Sequence, residues 1–133
     1  MAKEDKKTIL ITDDDTFLLD MYALKFSENG FQVISCLGSH VALEKFREGI
    51  IPNIALLDIV MPSMDGFELL ETLNKEGLGK STVKIFLSNR GQAEDVARGR
   101  ELGAAGYIIK ATATPSEVVK KVMDIFNMNN GSK

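Results

Sequence analysis

The sequence predicts an α/β fold in which helices cover both faces of a parallel sheet. Three observations carry this. Five short, almost continuously apolar runs recur at residues 9–12, 31–37, 54–58, 83–88 and 107–110, each of strand length. Segments with helical spacing separate them, and glycines stand where those helices should stop, at Gly30, Gly77 and Gly103. Apolar strands alternating with helices imply right-handed crossovers, which place helices against both sides of the sheet.

Taken in order, the first strand runs into Asp13, Asp14 and Asp15, and Leu18, Met21, Tyr22 and Phe26 form the stripe of the first helix. The second strand, FQVISCL, contains the only cysteine, Cys36, which can form no internal disulfide and reads as a small buried strand residue. His40, the only histidine, follows Ser39 at the start of the second helix and reads as a surface residue. The third strand ends at Asp58, and Phe67, Leu70 and Leu73 stripe the helix after it, with Met61 and Met64 packing the loop beside Pro62. The fourth strand ends in Ser88 and Asn89. Gly99 interrupts the following helix, at roughly 1 kcal/mol relative to alanine, and predicts a mobile segment. The fifth strand ends at Lys110. Thr114-Pro115-Ser116-Glu117 then combines an N-cap, a first-turn proline and a capping-box glutamate ahead of Val118, Val119, Val122, Ile125 and Phe126. A single domain over residues 1–133 is expected, with a core at about 8–127 and flexible ends at 1–7 and 128–133.

Composition narrows the function classes. Lysine and arginine number 16 against 19 acids, for a net charge of −3, without the basic footprint of a direct DNA binder. No apolar run is long enough to span a membrane, and MAKEDKK lacks the core of a signal peptide, so a cytoplasmic protein with no membrane contact is expected.

In a parallel α/β sheet, function collects at the carboxyl ends of the strands. Those ends deliver Asp13, Asp14, Asp15, Asp58, Ser88, Asn89 and Lys110 to one edge. Clustered carboxylates repel and raise one another's pKa unless a cation joins them. A few hard oxygens suit Mg²⁺, which is usually held by one or two carboxylates together with phosphate oxygens. A further aspartate can then serve as nucleophile, with a lysine and a hydroxyl offsetting charge on the phosphoryl oxygens. Asp58, Lys110 and Ser88 fit those roles.

With these residues in place, the chain resembles the receiver domain of bacterial two-component response regulators, from about residue 8 to about residue 127. The resemblance rests on Asp13-Asp14, on LLDIVMPSMDG around Asp58 with its D-x-x-M-P-x-M-D-G spacing to Gly66, on Ser88, and on GAAGYIIK ending in Lys110. It implies a flavodoxin-like (βα)5 doubly wound fold with strand order 2-1-3-4-5. It implies Asp58 as phosphoacceptor, and Asp13, Asp14, Asp58 and the carbonyl of Val60 as the protein's ligands for Mg²⁺ or Mn²⁺. Lys110 would contact a phosphoryl oxygen, and Ser88 and Tyr107 would form a switch pair. By position Asp15 has no such role and reads as the N-cap of the first helix. The donor would be a sensor histidine kinase or a histidine phosphotransfer protein. The output would be a face of the fourth helix, fifth strand and fifth helix that binds a protein partner in trans, from a monomer or a phosphorylation-dependent dimer.

The chain departs from the resemblance after Lys110, where many receivers have a cis proline and then phenylalanine. Ala111 and Thr112 stand there instead. A cis bond before alanine costs about 3 kcal/mol, so a trans bond is predicted. Asn89, Arg90 and Val60 flank the phosphoryl position and are expected to modulate attack by water, and Ala111 is expected to modulate the site through the aim of Lys110. Two other readings are open. A Mg²⁺-dependent phosphohydrolase of the haloacid dehalogenase type would use Asp13 as nucleophile, although Phe17 stands where its second motif residue is expected. A pseudo-receiver would bind partners without phosphorylation.

Overall fold

The computed structural model describes residues 6–130. Among them, strands and helices alternate as β1 (Thr8–Asp13), α1 (Thr16–Glu28), β2 (Gln32–Leu37), α2 (Ser39–Arg47), β3 (Ile54–Leu57), α3 (Gly66–Glu76), β4 (Val83–Ser88), α4 (Ala93–Glu101), β5 (Gly106–Ile109), a 3-10 turn (Lys110–Thr112) and α5 (Pro115–Asn130). The strands form one parallel sheet in the order β2-β1-β3-β4-β5. This is the expected flavodoxin-like topology. Among the described residues, no helix is long and apolar enough to cross a membrane.

Alternation along the strands builds two cores. Ile9, Ile11, Ile54, Leu56, Ile85, Leu87 and Ile108 face Leu19, Tyr22, Phe26, Val118, Val119 and Val122 of α1 and α5. Leu10, Cys36, Ala55, Leu57 and Phe86 face Ala42, Leu43, Phe46, Phe67, Leu70 and Leu73 of α2 and α3. Each large side chain buried this way contributes about 1.5–3 kcal/mol relative to exposure. Cys36 is fully buried, as expected, and burial pushes its thiol up to about 11.

Several boundaries move. Phe31 precedes β2 and packs edge-on against Phe26 at 5.1 Å. Lys110 lies beyond β5 and opens the 3-10 turn, from which its side chain reaches Asp13. Leu19 joins the buried stripe of α1, whereas Leu18 and Met21 are only partly buried, as are Ile125 and Phe126 of α5. The expected flexible ends fall mostly on residues 1–5 and 131–133, which lie outside the described residues. Within the described chain, α5 continues through Asn130, and the Asn129 side chain donates to the Ile125 carbonyl at 2.8 Å. At the other end, the Lys7 carbonyl accepts the Gln32 N–H at 2.9 Å.

Gly99 has a packing reason. A Cβ there would lie 3.1 Å from Phe86 Cδ2 and 3.2 Å from Cε2. Its absence lets the back of α4 approach that ring.

Candidate functional site

Register assembles the site. Thr12 pairs with Leu57, Leu57 with Phe86, and Phe86 with Tyr107, so one row crosses four strands. Asp13 and Asp58 each stand one residue past that row. Ser88 stands two past Phe86 and pairs with Ile109, and Lys110 follows Ile109. The sheet twist and the 3-10 turn let Lys110 reach back across the edge.

Four of the sequence-predicted residues come together. Oxygens of Asp13, Asp14 and Asp58 lie within 4.8 Å of one another. Lys110 Nζ donates to Asp13 Oδ2 at 2.8 Å and to Asp58 Oδ2 at 3.3 Å. Asp13 is 2% exposed and Asp58 6%, whereas Asp14 faces solvent. The remaining oxygens are also used: Asp13 Oδ1 accepts the Asp15 N–H at 3.0 Å, and Asp58 Oδ1 accepts the Ile59 N–H at 2.7 Å. Asp15 caps α1 through the Leu18 N–H at 3.1 Å, as expected of the third aspartate.

Burial pushes the Asp58 carboxyl above the usual aspartate range; the Lys110 charge opposes this and the Asp13 charge adds to it. For Lys110, burial pulls the ammonium down. The Asp13 hydrogen bond and the charges of Asp58 and Asp13 outweigh it, leaving the group above its ordinary value. The cluster gathers three carboxylates around one largely buried ammonium. Three hard carboxylates at this spacing fit a small divalent ion such as Mg²⁺.

The other expected residues surround this cluster. Ser88 is 1% exposed, and its hydroxyl accepts the Arg90 N–H at 3.3 Å. Tyr107 is half-buried against Phe86, with ring centroids 6.0 Å apart, and its hydroxyl donates to the Arg90 carbonyl. Burial, with the nearby Asp95 charge, pushes that phenol up to about 12. Asn89, Arg90, Val60 and Ala111 are exposed. The described residues contain no cis peptide bond, so Lys110-Ala111 is trans.

Three residues near the site were given no part in it from sequence. Thr12 is buried and donates to the Gly38 carbonyl at 2.9 Å, joining the ends of β1 and β2. Asp95 is 8% exposed and pairs with Arg90. Tyr22 lies under the cluster; burial pushes its phenol up, and the charges of Lys110, Asp13 and Asp58 all act on it. Tyr22 was legible only as part of the first helix's stripe, and Asp95 left a trace at the third position after a helix-starting Gln92.

Comparison with known proteins gives the family and the fold. Residues 9–123 match the family described as response regulator receiver domain. The phosphate regulon transcriptional regulatory protein PhoB of Escherichia coli is 29% identical over 116 residues, covering 87% of this chain and 50% of that protein. The probable transcriptional regulator ycf27 of Porphyridium aerugineum is 31% identical over 120 residues, covering 90% of this chain and 48% of that protein. The chain thus spans about half the length of the curated relatives it matches. Among solved structures, a CheY-like response regulator receiver domain protein from Methanospirillum hungatei superposes with a TM-score of 0.85 at 29% identity, covering 97% of this chain and 100% of the other. The chemotaxis protein CheY4 of Vibrio cholerae shares the fold, with a TM-score of 0.83 at 22% identity over 91% of this chain and 99% of the other.

Proposed function

The chain belongs to the response regulator receiver domain family, and on that premise we propose that it works as a phosphoacceptor switch with Asp58 as the acceptor. The observation that supports this most is the Lys110 ammonium set between two buried carboxylates, 2.8 Å from Asp13 and 3.3 Å from Asp58. A lysine so placed can follow a phosphoryl group onto Asp58 without leaving the site.

Asp13, Asp14 and Asp58, with the Val60 carbonyl, would hold Mg²⁺ or Mn²⁺, which when bound offsets charge on the phosphoryl oxygens. The donor is a phosphohistidine on a sensor kinase or histidine phosphotransfer protein. A carboxylate oxygen of Asp58 attacks phosphorus, the P–N bond breaks, and its electron pair returns to the imidazole, which takes up a proton. The Ile59 N–H orients the carboxylate for that attack. Lys110 and the Ser88 hydroxyl then hold phosphoryl oxygens, and Tyr107 adjusts behind Ser88 to bias the α4–β5–α5 face for a protein partner, as a monomer or through a phosphorylation-dependent dimer. The role is regulatory rather than catalytic turnover of a substrate, and a cytoplasmic location fits it. Membership of the receiver family takes precedence over the haloacid-dehalogenase reading.

Incubation with a small phosphodonor and a divalent cation tests the proposal by intact mass. One alkali-labile phosphoryl adduct per chain, absent with chelator and in Asp58→Asn, is expected. A wild-type chain that remains unmodified while folded would support the pseudo-receiver instead.

A further inference from the structure

One residue fastens the loop between β4 and α4. The Arg90 N–H donates to the Ser88 hydroxyl at 3.3 Å, and the Arg90 carbonyl accepts the Tyr107 hydroxyl. The side chain engages two helices: Nε donates to Asp95 Oδ1 of α4 at 3.1 Å, and the guanidinium carbon lies 5.8 Å from the centre of the Phe67 ring of α3. Asp95 is 8% exposed, and its second oxygen accepts the Gln92 N–H at 3.3 Å, closing the capping box of α4. Thus the backbone of Arg90 touches both proposed switch side chains, while its guanidinium holds the start of α4.

Resting on the phosphoacceptor reading above, we propose that Arg90 is a positioning residue that transmits movement of Ser88 and Tyr107 to α4 through Asp95. When Ser88 shifts toward a phosphoryl group on Asp58, its hydroxyl draws the Arg90 N–H with it. A turn of Tyr107 acts on the same peptide from the carbonyl side. The guanidinium must then either carry Asp95 along or abandon it. Abandoning a nearly buried carboxylate is the costlier course, because the charge loses its cation and a hydrogen bond together. The first turn of α4 therefore follows Arg90. Close packing of Gly99 on Phe86, with a would-be Cβ 3.7 Å from Tyr107 Cδ2, puts the middle of the helix against the same aromatic pair.

Amide exchange of the full chain, with and without beryllofluoride and Mg²⁺ as a phosphoryl analogue, tests this. In the wild type, peptides over residues 93–101 should change protection when the analogue binds. In Arg90→Ala and Asp95→Asn the analogue should still bind, but that change should fall by about threefold or more. Arg90→Lys, which keeps a cation facing Asp95, should recover most of it. Arg90→Ala leaves the Asp95–Gln92 cap in place, so loss of response there is not fraying of the helix start. Equal responses in wild type, Arg90→Ala and Asp95→Asn, with analogue bound, would overturn this inference alone. No uptake of the analogue by the wild type would overturn the phosphoacceptor reading and this inference with it.

Discussion

A Cβ on Gly66 would lie 2.2 Å from the carbonyl oxygen of Asp58. The first residue of α3 is thus pressed against the backbone that aims the proposed phosphoacceptor, and the Gly66 N–H donates to the Ile59 carbonyl at 2.8 Å. Nothing flexible stands on either side. Gly66→Ala should displace the Asp58–Ile59 peptide, lower stability by about 2–4 kcal/mol and weaken divalent-ion binding. Urea unfolding and an Mg²⁺ titration check both effects.

Ser63 is the only non-glycine with positive φ among the described residues, at 70°. It is the centre of a tight turn in which the Met64 N–H donates to the Pro62 carbonyl at 2.7 Å. Glycine adopts that conformation freely, but gives up more freedom on folding. Ser63→Gly should therefore stabilise the chain by about 0.5–1 kcal/mol, visible as a raised urea midpoint at unchanged slope.

Asp58 should oppose folding when no divalent ion is present. Its folded-state pKa is raised, chiefly by burial. The carboxyl therefore contributes stability that is full below about pH 4, the ordinary aspartate value, and lost as pH rises through the folded value. In chelator at neutral pH, Asp58→Asn should be more stable than the wild type by about 1–2 kcal/mol. That gain should shrink toward zero as both proteins are taken to acid. A gain independent of pH would contradict the assignment.

Lys84 is 8% exposed on β4, where its ammonium donates to the Gly79 carbonyl and burial pulls its pKa below the lysine value. The unfolded chain binds this proton more tightly. Stability is therefore reduced at neutral pH, and the deficit is relieved as pH rises past the folded value toward about 10.5. Lys84→Met should stabilise the protein by about 1 kcal/mol at pH 7, with a smaller difference at alkaline pH. Chemical unfolding at the two pH values decides it.

The acidic cluster was legible because strand ends are where charge has no structural excuse. Asp58 after NIALL and three aspartates after ILIT could be read before any contact was known. Lys110 was legible as the end of the fifth apolar run, but the 3-10 turn that it opens, from which its side chain reaches Asp13, was not. The Arg90–Asp95 link was illegible because exposed arginines and helix-start acids are common, and only their 3.1 Å contact distinguishes this pair. Gly99 suggested a weak helix in sequence, whereas the ring of Phe86 supplies a reason visible only in packing. The last helix runs through Asn130, past its expected end, over three asparagines whose low helix propensity reads as a tail.

Borohydride trapping after treatment with a small phosphodonor and Mg²⁺, followed by peptide sequencing, tests the central claim most directly, because reduction turns an aspartyl phosphate into homoserine at the position that carried it. Homoserine at position 58, and none in the Asp58→Asn chain, is the predicted result. Homoserine at position 13, with position 58 untouched, would contradict the account and return the nucleophile to the end of the first strand.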